Sequence, residues 1–287
     1  TFSLEDMTAK LGKGKFLGNV VINNFDEPEI DMRLNADFNL EFVTDFLNLN
    51  QADITSGKVS LKMNFHDIVD LDNPEQALSK LNQAYYSELK IDSLSLSSRD
   101  LPAPLKKLNA HVVMNGKKAT INQFDMLLGK SDISVTGYVS DLPAIVHHTD
   151  TLVVTHLDIQ SKLLDIAELT QFSATDSIKR GIDEQIKDLT AGFSFKSTAK
   201  AFTESKYLPK GEFFVDSLNA QLKHYPHKLH DFHVDVLIDD EDLKIKDFTG
   251  FIDDSDFHFN GLAHNYGFWL QKELNGDVDL DITLTSD

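Results

Sequence analysis

An internal repeat is the feature of this sequence that most constrains its fold. The segment Ile121–Gly137 (INQFDMLLGKSDISVTG) returns 124 positions later, without a gap, as Ile245–Gly261 (IKDFTGFIDDSDFHFNG). Both copies alternate apolar and polar residues, which is typical of half-buried β-strands. A repeat of this length indicates that one structural unit occurs twice, so the architecture follows from the repeat. The residues identical at this offset include Ile121/Ile245, Phe124/Phe248, Ser131/Ser255, Asp132/Asp256 and Gly137/Gly261.

Short turns divide each copy into antiparallel strands. Asn115-Gly116 and Gly129-Lys130 separate the alternating runs of the first copy, and Asn-Gly is the strongest short signal for a β-hairpin. Asp239-Asp240 and Asp253-Asp254 stand at the matching places in the second copy. We therefore interpret the acidic run at 239–242 as a solvated hairpin turn in preference to a calcium site.

The alternation slips by one residue at matching places in the two copies. Ile91 and Leu94 are three residues apart where a strand requires an even spacing, and so are Ile121 and Phe124. An extra residue in one strand of a pair forms a β-bulge and bends the strand. We predict bulges, and curvature of the sheet, at Asp92-Ser93, Asn122-Gln123 and their copies Asp216-Ser217 and Lys246-Asp247.

These patterns predict a mainly β protein in which repeated antiparallel meanders form a long curved sheet with two short helices. A closed β-sandwich is the alternative. The first repeat unit is expected over 1–141 and the second over 142–287, and no linker separates them, so we expect one continuous structure.

The two helices are expected near 73–86 and 175–189. Asn73 suits a helix N-cap and Pro74 the first helical position. In the second segment, an apolar stripe at helical spacing indicates a helix. Its members are Ile178, Ile182, Ile186 and Leu189.

Composition excludes several classes of function. The 46 acidic residues exceed the 27 basic ones and give a net charge of -19, which repels the phosphates of nucleic acids. The absence of cysteine excludes disulfides, thiolate zinc sites and a cysteine nucleophile. No apolar run approaches the length of a membrane-spanning helix. Because the chain opens with Thr1-Phe2-Ser3, we expect it to be part of a longer protein.

A cluster of histidines is the most suggestive candidate for chemistry. His224, His227, His230 and His233 lie within ten residues, and imidazole is a ligand for zinc or copper. The first copy has no histidine at the matching positions, so we favour a polar strand edge and keep His227 and His230 as weak metal candidates. A metal site would require stoichiometric zinc that is lost when both are replaced. Nucleophile, phosphate and dinucleotide motifs are absent, so we expect no enzymatic activity, no catalytic residue and no cofactor.

The apolar faces of the predicted strands are more informative. One face of each meander is apolar and the other polar, and a dozen strands would present more apolar surface than a soluble monomer exposes. Either the sheet fills itself with its own side chains or the surface shelters an apolar ligand. The residues expected to line such a groove are Val112, Met114, Ile121, Phe124, Met126 and Ile133, with Val236, Ile238, Ile245, Phe248, Phe257 and Phe259 in the second copy.

One order of elements runs through four segments, an element, its copy and the segments that follow them: a strand, a short turn, a strand that closes on Gly, and a further strand, which runs into LLDIAEL after the first copy. They are KATINQFDMLLGKSDISVTGYVSDL, DLKIKDFTGFIDDSDFHFNGLAHNY, THLDIQSKLLDIAEL and GDVDLDITLTSD. This pattern resembles the AsmA family of Gram-negative envelope proteins, in particular the AsmA-like C-terminal regions common in Bacteroidota. The resemblance spans nearly all of the chain at the level of spacing.

The resemblance implies a periplasmic, β-rich protein that an N-terminal helix, absent from these residues, anchors in the inner membrane. It also implies a role in outer-membrane biogenesis or lipid transport, with phospholipid or another acyl-chain lipid carried along an apolar groove. Envelope proteins are further candidate partners. The alternative function is a structural or assembly module whose self-filled β core binds protein partners.

Overall fold

The computed structural model describes residues 1–11, 14–23, 29–39, 52–66, 84–98, 101–146, 148–169, 183–204, 208–239, 242–266 and 279–286. These residues form fifteen strands and three short helices. The strands are β1 Phe2–Leu11, β2 Gly14–Asn23, β3 Glu29–Asn39, β4 Ala52–His66, β5 Ala84–Ser98, β6 Leu105–Asn115, β7 Lys118–Leu128, β8 Ser131–Val139, β9 Leu152–Asp165, β10 Gln185–Thr198, β11 Gly211–Leu222, β12 Lys228–Ile238, β13 Asp242–Ile252, β14 Ser255–His264 and β15 Asp279–Thr285. The helices are α1 Leu142–Val146, α2 Ile166–Leu169 and α3 Ala199–Glu204.

The strands form one antiparallel sheet whose order follows the chain from β1 to β15. Each strand therefore pairs with its neighbours in sequence, as in a meander. The mainly β fold is confirmed. Because β1 and β15 stand at the two ends of the strand order, the sheet is open and the closed sandwich is excluded.

The chain divides into two compact units. Unit 1 comprises Thr1–Thr136 with Glu168–Gly181, and unit 2 comprises Gly137–Ala167 with Ile182–Asp287. Unit 1 therefore contains β1 to β7 and most of β8, while β9 to β15 belong to unit 2.

The internal repeat corresponds to repeated strands. The bounds of β7 and β13 differ by the 124 positions of the sequence repeat at both ends. The turn residues match as well, because Gly129 and Asp253 both have a left-handed backbone, with φ of 58° and 53°. Asp239 and Asp242, at the two ends of the acidic run, exchange backbone hydrogen bonds of 2.8 and 3.0 Å, as the residues that flank a hairpin turn do.

All four predicted bulges are present. The pairing of β5 with β6 slips between Ile91 and Leu94, and the pairing of β6 with β7 passes over Asn122. In the second copy the extra residues are Asp216, in β11 against β10, and Lys246, in β13 against β12. At each bulge, the apolar residues before and after the extra residue lie on the same face of the sheet.

Several bulges share a hydrogen bond that the sequence pattern did not indicate. Asp6 and Ser93 have left-handed backbones, and each donates its N–H to the side-chain oxygen of an asparagine on the next strand, Asn19 or Asn109, at 2.9 Å. Asp231 makes the same bond to Asn219 at 3.3 Å. A bulge leaves a backbone N–H outside the sheet ladder, and the asparagine oxygen satisfies it.

The helix predicted over 175–189 is wrong at its C-terminal end, because Gln185–Leu189 belong to β10. Asp188 has a left-handed backbone in a bulge, where the pairing with β11 slips between Lys187 and Thr190. The bulge places Ile186 and Leu189, three residues apart, in the same apolar cluster. A bulged strand therefore produced the spacing that we interpreted as helical. The earlier part of this segment lies outside the described residues.

The helix predicted over 73–86 is also wrong at its end. Ala84 and Tyr86 belong to β5 and pair with Phe65 and Asn64 of β4. The spacing of the apolar residues up to Tyr86 also fits a helix, but pairing with β4 holds Ala84 and Tyr86 in β5. The remainder of the prediction lies outside the described residues.

The described helices are short, and two of them, α1 and α3, begin at polar caps. The Asp141 carboxylate accepts a hydrogen bond of 2.9 Å from the Ala144 N–H at the start of α1, and Thr198 plays the same part for Ala201 in α3. The two helices pack around a small buried cluster of Ala144, Val153 and Ala199.

Glycines allow two neighbouring strands to approach closely at the end of each copy. A Cβ on Gly137, whose φ is 146°, would overlap the carbonyl oxygen of His156, and a Cβ on Gly261 would lie 2.6 Å from that of Asp281. The glycine that closes each copy of the repeat is therefore required, because any side chain there would overlap the backbone of the following strand.

We expect Gly137→Ala to lower the free energy of unfolding by about 2 kcal/mol or more, because its methyl group meets backbone that cannot move alone. Gly18→Ala is the matched control, since its Cβ would stand 3.5 Å from the nearest atom, the Arg33 carbonyl oxygen. Thermal unfolding followed by circular dichroism measures both variants. Equal melting temperatures for the two would contradict the argument.

Candidate functional site

The apolar residues of unit 1 form continuous rows across its strands. One row runs through Ala9, Phe16, Ala36, Leu61, Leu89, Val112 and Ile121, each of which is the direct cross-strand partner of the next. It crosses seven strands without a polar residue. A parallel row runs through Phe38, Val59, Ile91, Ala110 and Phe124. We call the surface formed by these rows and their neighbours on the same side the unit 1 apolar face.

Unit 2 has a corresponding surface. One row runs through Leu157, Phe193, Val215, Val234, Phe248, Phe259 and Leu284. A second runs through Thr155, Phe195, Phe213, Val236, Ile245, Gly261 and Ile282. Neither row contains a charged side chain. We call this surface the unit 2 apolar face.

Cross-strand register places eleven of the twelve predicted groove residues on these two faces, and the twelfth, Ile133 on β8, is the repeat counterpart of Phe257. Val112, Met114, Ile121, Phe124, Met126 and Ile133 are all half-buried, and so are Ile245, Phe248, Phe257 and Phe259. A half-buried apolar side chain in the middle of a wide sheet retains surface that another group can cover. These ten residues therefore keep part of their apolar surface exposed.

Val236 and Ile238 differ from the other ten, because they are buried to 8% and 5% exposure. Tyr266, itself 2% exposed, packs against them with Ala263, and its hydroxyl donates a hydrogen bond of 3.3 Å to the Leu208 carbonyl oxygen. Side chains of unit 2 thus fill the end of the unit 2 apolar face at Ile238.

Four phenylalanines form the centre of the unit 2 apolar face. Phe248 contacts Phe232, Phe257 and Phe259, with ring centroids 5.6, 5.3 and 4.5 Å apart. The tilted and edge-to-face arrangements are those that aromatic pairs prefer. This cluster is an apolar surface of packed aromatic rings.

Sequence reasoning missed much of both faces. As groove residues, it named none of those that β1 to β5, β9 to β11 and β15 contribute. The most exposed of these are on β15, where Leu280, Ile282 and Leu284 are 54, 55 and 67% exposed. The alternation of DLDITLT was visible, but assigning its apolar positions to a row requires the cross-strand register, which the sequence alone does not supply.

The opposite face of unit 1 carries a buried carboxylate. Glu88 is 8% exposed and lies at the centre of four polar side chains. Lys90 and Lys62 donate hydrogen bonds to its two oxygens at 2.8 and 3.1 Å, and the Tyr86 hydroxyl donates one at 3.3 Å. His111 Nε2 lies 3.0 Å from Oε1.

Hydrogen bonds from Lys90 and Lys62 lower the pKa of Glu88 from 4.5 to about 2. The same contact raises the pKa of Lys62. Since both ammonium groups are about half exposed, the network joins three strands without burying a net charge. Its physical role is to stabilise the polar side of the sheet.

The histidine cluster forms a hydrogen-bonded strand end in unit 2. His227 Nδ1 contacts the Asp253 carboxylate, while His230 contacts the Asp231 carboxylate at 2.6 Å and the Asp253 carbonyl oxygen at 2.8 Å. The bond to Asp231 raises the pKa of His230, and the bond from His227 lowers that of Asp253. Both ring nitrogens of His230 are engaged, which leaves no lone pair for a metal.

Across the described ranges, no group of three or more His, Cys, Asp or Glu residues is arranged to hold a metal ion. In the same ranges, no helix combines the length and the apolar character needed to cross a bilayer.

Comparisons with protein-family models, with curated proteins and with solved structures give no match to this chain.

We expect stability to fall as the pH drops from about 4.5 towards 2, because the folded state holds Glu88 ionised below the pKa of the unfolded chain. The loss is on the order of 2 to 3 kcal/mol. Glu88→Gln should remove most of this dependence and lower stability at pH 7. Glu212→Gln is the control, since Glu212 contacts Lys196 at 3.4 Å with a more exposed side chain. Urea unfolding between pH 2 and 7 tests this, and parallel pH profiles for wild type and Glu88→Gln would contradict it.

Proposed function

We propose that this chain is a non-enzymatic lipid-binding segment that shelters acyl chains on its two apolar faces. The observation that carries the proposal is the uncharged row that crosses seven strands in each unit and remains half-buried along most of its length. Surfaces of this kind on soluble proteins usually mark a site for an apolar partner.

The dimensions of the rows suit an acyl chain. Seven strands at a spacing of about 4.8 Å give a row roughly 29 Å long. The hydrocarbon core of a bilayer, which is two acyl chains thick, measures about 30 Å. A single acyl chain therefore fits along one row.

The energy is also sufficient for reversible binding. Each methylene group that leaves water contributes about 0.8 kcal/mol, so a chain that buries about eight of them gains roughly 6 kcal/mol before the entropy of immobilisation is subtracted. The absence of charge in the rows means that no desolvation of ions opposes this gain. Such binding suits a protein that both accepts and releases lipid.

The cellular context that we propose follows the AsmA-like pattern of the sequence. In that context the chain lies in the periplasm of a Gram-negative bacterium, and a segment outside these residues anchors it in the inner membrane. Its ligand is phospholipid or another acyl-chain lipid, and its process is outer-membrane biogenesis or lipid transport. The acidic net charge of -19 suits contact with the tails of lipids better than adsorption to anionic headgroups.

One observation favours the second candidate function, a structural module with a self-filled core. Tyr266 covers Val236 and Ile238, so part of the unit 2 apolar face is occupied by its own chain. If the same arrangement extended across the remaining rows, lipid would have no place to bind, and the polar faces would be left to contact protein partners.

A palmitic acid that carries a photoactivatable diazirine in its chain distinguishes the two functions. We expect the purified chain to be labelled at residues of the apolar rows, as read by peptide mass spectrometry. Labelling that is absent, or that falls equally on residues of the polar faces such as Lys62 and Lys196, would contradict the lipid-binding function and favour the structural one.

We expect Ile282→Asp to reduce labelling of the unit 2 apolar face severalfold, because the substitution places a charge in an otherwise uncharged row. Ile282 is 55% exposed, so the fold should tolerate the change. Thr283→Asp adds the same charge to the opposite face of the same strand and serves as the matched control. Equal labelling of the two variants, with melting temperatures unchanged, would count against the row as the binding surface.

A further inference from the structure

All five methionines of the chain lie on the unit 1 apolar face. Three of them share one register row, which crosses β1 to β7 through Met7, Gly18, Leu34, Met63, Ser87, Met114 and Ala119. Met32 lies one row from this row, paired with Val20, and Met126 lies three rows away on its other side, paired with Leu108. The five residues are Met7, Met32, Met63, Met114 and Met126.

The unit 2 apolar face contains no methionine, because the last one in the sequence is Met126. The repeat places Ile238 where the first copy has Met114, and Gly250 where it has Met126. The two faces thus have the same arrangement of rows but differ in the side chains that line them. Unit 1 is lined by flexible thioethers, whereas phenylalanine rings form the centre of unit 2.

The methionines are open to reagents in solution. Met7 is 37% exposed, and the other four are half-buried on a face whose central rows keep accessible surface. Since the chain has no cysteine, these five thioethers are its only sulfur atoms. An oxidant that reacts preferentially with sulfur therefore reaches unit 1 and finds no sulfur target in unit 2.

We propose that the five methionines are a reversible oxidation site through which a peroxide controls acyl-chain binding to unit 1 and leaves unit 2 unaffected. This inference rests on the proposed lipid-binding function. It adds a modification site, the chemical class of the reagent and a difference between the two faces.

The reaction is balanced for hydrogen peroxide. The thioether sulfur attacks one peroxide oxygen, an S–O bond forms and the O–O bond breaks. The remaining oxygen takes up the proton and leaves as water. Sulfur loses two electrons to the peroxide, and a sulfoxide reductase that supplies a dithiol reverses the step by forming a disulfide and water.

The sulfoxide changes the character of the unit 1 apolar face. It converts a flexible apolar side chain into a polar one with a strong hydrogen-bond acceptor. Three such groups in one row, one in the next row and one three rows away add polar atoms to the face along which an acyl chain would lie. We expect a decrease in acyl-chain binding on the order of tenfold in unit 1.

The test uses the diazirine-bearing palmitic acid on the full chain before and after treatment with hydrogen peroxide. Peptide mass spectrometry reports both the sulfoxide at each methionine and the labelled residues in each unit. The expected result is oxidation of the methionines in the folded chain, a roughly tenfold loss of labelling in unit 1 and unchanged labelling in unit 2. Treatment with methionine sulfoxide reductase should restore the labelling of unit 1.

A variant with all five methionines changed to leucine is the control, because leucine fills a similar volume and cannot be oxidised in this way. It should bind palmitic acid and resist peroxide. If it does not fold, Met7→Leu with Met63→Leu should show partial resistance. Circular dichroism of the oxidised chain reports whether the fold persists.

Three outcomes would overturn the proposal. One is unchanged labelling of unit 1 when all methionines are oxidised, and another is equal loss in both units. The third is the absence of sulfoxide in the folded chain under conditions that oxidise free methionine. Absence of labelling in either unit before oxidation would overturn the lipid-binding function itself, and the oxidation site as a control of binding would fall with it.

Discussion

The constraint on which this structure depends is strict alternation of apolar and polar side chains along strands that pair with their neighbours in sequence. Alternation collects the apolar residues of each unit on one face, and neighbour pairing extends that face by one strand at a time. The three described helices have four to six residues. Of these, α1 and α3 pack around Ala144 and Val153, and Phe202 of α3 contacts Phe195 of the second unit 2 row, with ring centroids 4.6 Å apart. The rows therefore remain half-buried, and this residual apolar surface is the basis of the function that we propose.

The bulges protect this arrangement. A single extra residue would turn the remainder of a strand over and place its apolar residues on the polar face. The sequence compensates by spacing apolar residues three apart at each bulge, as at Ile91 and Leu94 or Ile245 and Phe248. Asn19, Asn109 and Asn219 then accept the backbone N–H that the bulge removes from the ladder. The apolar face therefore stays continuous across the bulges, because the apolar spacing changes at each bulge and an asparagine accepts the N–H that leaves the ladder.

Hydrogen bonds and ion pairs, rather than apolar contacts, stabilise the polar side of the sheet. Around Glu88, hydrogen bonds and ion pairs link three strands, and the same kind of contact joins Glu212 to Lys196 and Asp253 to His227. These contacts respond to pH, whereas the apolar rows do not. Of the two sides, the polar one sets how stability depends on pH, and the apolar one determines what the protein can bind.

The sequence by itself determined the strands of the repeat, its turns, its four bulges and ten of the half-buried residues on the apolar faces. Those features depend on neighbours along the chain, and the two copies could be compared directly. The tertiary structure decided what depends on cross-strand register: that Met7, Met63 and Met114 share a row, that Leu284 aligns with Phe259, and that Tyr266 covers Val236. It also showed that Ile186 and Leu189 follow a bulged strand, because a bulge and a helical turn place residues three apart on the same side.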